Sequence, residues 1–148
     1  MENAVFTTLC MVYDDNDRIL VQRRRGTSWD GLAFPGGHVE RGESFVKSVT
    51  REVYEETGYR IKNPVLCGVK QFQTECGARY IVLLYKTGEF SGRLRSSDEG
   101  EVFWITRESL ADHQPARDME AMLELFFDEH KSEFYYLPDS EEDEYVIL

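Results

Sequence analysis

Glu52, Glu55 and Glu56 recur at spacings of three and four residues inside a stretch patterned as a helix. Residues so spaced are neighbours on one helix face, where like charges repel. They also crowd the helix's C-terminal end, where its dipole disfavours negative charge. A helix with only a structural role would carry lysine or arginine there. A bound cation would make three carboxylates comfortable, and an oxygen-rich ligand set selects Mg²⁺ or Mn²⁺ over zinc. The chain offers no Ser-His-Asp set and no cysteine placed as a nucleophile. Its expected chemistry is therefore metal-assisted attack by water. A phosphoanhydride fits best, because Mg²⁺ bridges a phosphate chain and a few carboxylates.

The surrounding elements must position those acids. Leu32 to Phe34 is a short apolar stretch leading into Pro35-Gly36-Gly37. Consecutive glycines permit backbone conformations closed to other residues and let a ligand approach the carbonyls. The helix is expected to begin near Glu43 or Ser44, with Ser44 as its cap, and to end at Gly58 as a C′ glycine. Phe45, Val49 and Val53, with Val46 alongside, form the predicted core face. Glu56 lies at the margin of that stripe, and an acid encroaching on a buried face needs a partner.

Ahead of this unit, Ala4 to Tyr13 and Arg18 to Gln22 read as two strands of a hairpin across the Asp14–Asp17 turn. Behind it, Asn63-Pro64 is a turn, and Val65 to Thr74 and Ala78 to Lys86 are two strands. The second is the most apolar run in the chain and the expected central strand. Thr87 to Gly100 reads as a long irregular segment, Glu101 to Ile105 as a strand, and Thr106 to Ala111 as a short helix. Asp118 to His130 is an amphipathic helix with Met119, Met122, Leu123, Phe126 and Phe127 on its core side. Residues 133–148 form a C-terminal β-hairpin whose acidic tip, Asp139 to Glu144, reads as solvated.

The chain has 148 residues, which suits one domain with a real core. Its formal net charge of −11 argues against nucleic-acid binding through a basic surface and against docking on anionic membranes. The three cysteines, Cys10, Cys67 and Cys76, are too few and too widely spaced for a disulfide framework or a zinc site. The N-terminal run lacks the basic flank and cleavage pattern of a signal peptide, and no run approaches membrane-spanning length. The expected location is cytoplasmic and the expected state a monomer or homodimer, without a stable nucleic-acid or membrane partner.

Gly37, five residues, Glu43, seven residues, then Arg51-Glu52-Val53-Tyr54-Glu55-Glu56-Thr57-Gly58-Tyr59 resembles the Nudix box, G-x5-E-x7-R-E-U-x-E-E-x-G-U with U a bulky apolar residue. Every fixed letter is present; Tyr59 departs only by standing where an aliphatic residue is usual. The resemblance to Nudix hydrolases implies an α/β fold in which a mixed β-sheet is sandwiched between α-helices, forming one domain over residues 1–148. It implies hydrolysis of a nucleoside diphosphate linked to another moiety, with Mg²⁺ or Mn²⁺. Carried over by position, Glu52, Glu55 and Glu56 would be metal ligands, the Gly37 carbonyl would add another, and Glu43 and Arg51 would fix the loop against the helix.

The MutT-like branch also places an acid shortly before a later strand. Glu99, in Asp98-Glu99-Gly100-Glu101, fits that place as a further metal ligand, with Asp98 and Glu101 as alternatives. Either Glu52 or Glu99 would serve as general base. The tags of ADP-ribose, coenzyme A and NADH hydrolases are missing. HVERGE, the DEG before a strand and the terminal hairpin resemble the 8-oxo-dGTP diphosphatases of Gram-positive bacteria. An oxidised purine needs a flat apolar slot. Trp29, Phe34, Phe72 and Tyr80 are candidates for stacking, though each also fits a core position, and Arg23 or Arg24 would touch phosphate or base. Two other readings remain: a hydrolase of another nucleoside diphosphate derivative or of RNA 5′ ends, and a Nudix-fold domain that binds nucleotide without hydrolysing it.

Overall fold

The computed structural model describes residues 1–25, 31–138 and 140–148. Its largest layer is a six-stranded mixed sheet. Strand β7 (Arg79–Thr87) sits inside it, flanked in parallel by β1 (Ala4–Val12) and antiparallel by β6 (Val65–Gln73). The apolar run of β7 is thus a central strand, buried from Val82 to Tyr85. Beyond β6 lie β10 (Glu133–Tyr136) and β11 (Tyr145–Ile147), and beyond β1 lies the short β4 (Gly36–His38). The C-terminal hairpin is present as β10 and β11, an antiparallel pair.

A second sheet has the order β3-β2-β9, from β3 (Leu32–Ala33), β2 (Arg18–Arg24) and β9 (Gly100–Thr106). The expected hairpin of β1 with β2 is therefore corrected. The two strands lie in different sheets and meet only at a Tyr13–Ile19 bridge. β7 pairs along the whole of β1 and β9 along the whole of β2, while β4 takes Thr7 to Leu9 and β3 takes Gln22 and Arg23 on the other flanks. The segment read as irregular between Thr87 and Gly100 also contains a strand, β8 (Glu89–Gly92), which pairs with β5 (Tyr59–Lys62). Pairing with a strand distant in sequence, rather than local alternation, defines both.

Helix α1 (Phe45–Thr57) lies on Cys10, Val12, Leu20, Leu83 and Tyr85 through Val49 and Val53. Ser44 caps it by accepting from the Lys47 N–H at 3.2 Å, and Gly58 closes it with φ 79°. Phe45 and Val46, assigned to the core face from their spacing, are 40% and 48% exposed. They sit in the first turn, and Phe45 packs on Phe6 with ring centres 5.5 Å apart. A 3₁₀ helix, Arg107–His113, buries Leu110, and helix α2 (Met119–Phe127) covers the other core cluster. On α2, Phe127 is 44% exposed while Leu125 is buried, so its stripe is turned by one position from the expected one. Among the described residues no helix is long and apolar enough to cross a membrane.

Candidate active site

The glycine turn docks the loop onto α1. Gly36 and Gly37 have ordinary backbone angles, so conformational freedom is not why they are glycine. Space is the reason. A Cβ on Gly37 would stand 2.5 Å from the Glu52 carboxylate, and one on Gly36 would run into the Thr8 carbonyl. The Gly36 N–H donates to Glu56 Oε2 at 2.8 Å, tying β4 to the last turn of the helix.

Arg51 is the hub of the loop. Its Nε and Nη2 donate to the two Glu43 carboxylate oxygens at 2.9 and 3.0 Å, a bidentate pair. Nη2 also reaches the His38 carbonyl at 3.1 Å, and Nη1 reaches Glu52 at 2.8 Å and Glu55 at 3.3 Å. Glu43 in turn accepts from the Glu40 N–H at 3.0 Å. The Arg51 guanidinium holds the Glu43 carboxyl down at about 2 and is itself held above its ordinary range, chiefly by Glu43. At every ordinary pH this pair is charged and fixed.

The carboxylates do not share one environment. Glu56 is 3% exposed, and burial, reinforced by the neighbouring Glu99 carboxyl, pushes it up to about 9. Burial also raises Glu52, though Arg51 opposes this. Glu52, Glu56 and Glu99 border one cleft of about 750 Å³ with Gly36 and Gly37. The Glu55 side chain is 55% exposed; it leans on Arg51 and does not border that cleft.

Oxygen-only donors crowded beside a cradle that a Cβ would fill suit a hard cation. Among the described residues no three acidic, His or Cys side chains form a closed metal-binding cluster.

Part of the cleft lining is aromatic. Phe72 and Tyr80, opposite each other on β6 and β7, stack with ring centres 5.0 Å apart. Both line the cleft, as do Arg24, Arg25, Lys70, Gln22 and Thr8. Two of the sequence candidates are corrected. Phe34 has no exposed surface; it packs edge-on against Phe126 at 5.4 Å inside the core, where no ligand stacks on it. Arg23 points to the other face of β2, its guanidinium over Phe103 and near the His113 carbonyl, because side chains alternate along a strand. Trp29, and Asp139 in the acidic tip, lie outside the described residues. Lys70, Gln22 and Arg25 escaped the sequence reading. Lys70 and Gln22 sit on strands whose pattern signals only packing; Arg25 lies just past β2, where its N–H donates to the Glu99 carbonyl at 3.1 Å.

A family profile described as "NUDIX domain" matches residues 5–143. An uncharacterized Nudix hydrolase of Bacillus subtilis is 34% identical over 66% of this chain and 63% of its own length. A human 8-oxo-dGDP phosphatase is 27% identical over 84% of this chain and 39% of its own length. The chain thus spans less than two thirds of these curated relatives. Among solved structures, the mutator MutT protein of Bacillus halodurans superposes with a TM-score of 0.74 at 28% identity, covering 97% of both chains. The E. coli ORF135 protein shares the fold, with a TM-score of 0.70 over 84% of this chain and 89% of its own at 22% identity. With the box in its loop-helix setting and the profile spanning nearly the whole sequence, the chain belongs to the Nudix family.

Proposed function

We propose that the chain is a Mg²⁺-dependent hydrolase of nucleoside triphosphates, with 8-oxo-dGTP as its leading substrate, releasing the nucleoside monophosphate and pyrophosphate. One observation carries this reading: Glu52, Glu56 and Glu99 border the same cleft as the stacked Phe72–Tyr80 pair. The carboxylates suit a cation and phosphates, the aromatic pair a flat base. The names of two relatives support the coarser class, nucleoside diphosphates and their derivatives: the human 8-oxo-dGDP phosphatase and an ADP-ribose pyrophosphatase of Methanocaldococcus jannaschii, 28% identical over 62% of this chain.

Bound Mg²⁺ would supply charge neutralisation along the phosphate chain and acidify a water. The chain's own residues do the rest. Phe72 and Tyr80 hold the base, and Arg24 meets phosphate oxygens. The water oxygen bonds to phosphorus, the bridging P–O bond breaks, and pyrophosphate leaves. Glu52 takes the water's proton. Arg51 fixes the orientation of this carboxylate over Gly37.

The test is a kcat/KM panel in Mg²⁺ with 8-oxo-dGTP, 8-oxo-dGDP, dGTP, other nucleotides, ADP-ribose and triphosphorylated RNA. The expected order places 8-oxo-dGTP first. No Mg²⁺-dependent release of phosphate or pyrophosphate from any member rules the reading out.

A further inference from the structure

Strand β2 presents Leu20, Gln22 and Arg24 on one face, since alternate residues share a side. Leu20 is packed beneath α1 with Val49 and Val53, and Gln22 and Arg24 continue the same face into the cleft. Gln22 is 1% exposed, yet its Nε2 has no hydrogen-bond partner among the described residues. Arg24 Nε is likewise buried without a partner among them. A buried donor left unpaired destabilises the free protein, and that cost is recovered when an acceptor arrives.

The acceptor's identity follows from what surrounds the donors. Gln22 packs against Gly100, the residue after Glu99: a Cβ on Gly100 would lie 3.2 Å from Gln22 Cγ. Gln22 and Arg24 therefore stand beside the turn that holds Glu99, on the sheet whose β9 begins at Gly100. The flat aromatic walls that suit a base belong to β6 and β7 of the other sheet. A phosphate chain held at the carboxylates through a cation keeps further oxygens that accept from N–H donors beside it.

We infer that Gln22 is a phosphate-binding residue: its carboxamide N–H and the Arg24 guanidinium donate together to oxygens of the substrate's phosphate chain, in the cleft that Glu52, Glu56 and Glu99 also line. The inference rests on the nucleotide-hydrolase reading above and adds a residue that the motif does not include.

Gln22→Met keeps length and shape and removes the donor. Binding of inorganic pyrophosphate and of non-hydrolysable guanosine, adenosine and cytidine triphosphate analogues, each with Mg²⁺, is measured by calorimetry beside thermal melting of the free protein. The expected result is weakening of about tenfold for all four probes, with the melting temperature held or raised. Gln22→Asn, which keeps the amide but draws it back, is expected to lose less and carries the test if the Met variant does not fold. Unchanged affinity overturns the inference. So does weakening confined to one base, which would make Gln22 a base reader. A clear fall in melting temperature also overturns it, because it would reveal a partner within the protein. A wild-type protein that binds none of the probes overturns both the inference and the function; one that binds them but hydrolyses no nucleotide overturns the function alone.

Discussion

At the scale of single residues, Glu55 and Glu56 are adjacent in sequence and unequal in place. Glu56 is buried at the Gly36 N–H, while Glu55 stands half in solvent against Arg51. Glu56→Gln is expected to lower kcat by roughly a hundredfold or more, beyond the loss of a supporting contact, and Glu55→Gln by roughly tenfold or less. Equal losses in steady-state assays would place both on the cation. Stability should move the other way. The Glu56 carboxyl ionises near 4.5 when unfolded and near 9 when folded, so it favours the folded state below 4.5 and that support fades as pH rises toward 9. Without Mg²⁺, Glu56→Gln should therefore melt higher than wild type at pH 8, with the gap closing toward pH 5. A constant gap across that range would contradict the buried neutral acid. The sequence displayed these acids well, because their spacing broke a helix rule. It displayed the nucleotide-facing residues poorly. Phe34 and Phe72 look alike in sequence, and only the packing of α2 over one of them separates core from cleft.

At the scale of elements, loop and helix act as one piece because Arg51 staples them. Its bidentate grip on Glu43 and its bond to the His38 carbonyl span the loop from β4 to α1. A lysine cannot reproduce that fork. Arg51→Lys is expected to lower both melting temperature and kcat, with KM for nucleotide less affected, because the staple sets Glu52 rather than the base slot. The Glu43 carboxyl is depressed from 4.5 to about 2, so its contribution is whole above 4.5 and is lost as pH falls through 2. Urea unfolding should show wild type more stable than Glu43→Gln at pH 7, with the difference shrinking between pH 4.5 and 2. An unchanging difference would mean that the ion pair is not its source. Capping at Ser44 and Gly58 was legible because both are local events in the backbone. The partners of β1 and β2 were not, since nearness in sequence favours a hairpin and only the competing edges of β4, β7 and β9 decide otherwise.

At the scale of the whole molecule, a buried network joins three elements behind the cleft. Lys70 on β6 borders the cleft and pairs with Asp118 at the start of α2, and the Tyr136 hydroxyl on β10 donates to the same Asp118 oxygen at 2.6 Å. Both ends of the ion pair are nearly dry, with side chains 13% and 12% exposed. Burial works against Asp118 ionising, but the Lys70 ammonium outweighs it and holds the carboxyl below its usual range. Removing one charge strands the other in a low-dielectric site, which costs about 3–5 kcal/mol, whereas replacing both with apolar groups is often near neutral. Asp118→Leu alone is therefore expected to lower the melting temperature by about 10 °C. Lys70→Met added to it should recover most of that loss, apart from the hydrogen bond owed by Tyr136. If the network only braces the fold, KM for nucleotide in the double variant returns toward wild type along with stability. If Lys70 also contacts substrate, stability returns while KM stays high, so the double-mutant cycle, read by melting and by KM on the same samples, separates bracing from binding.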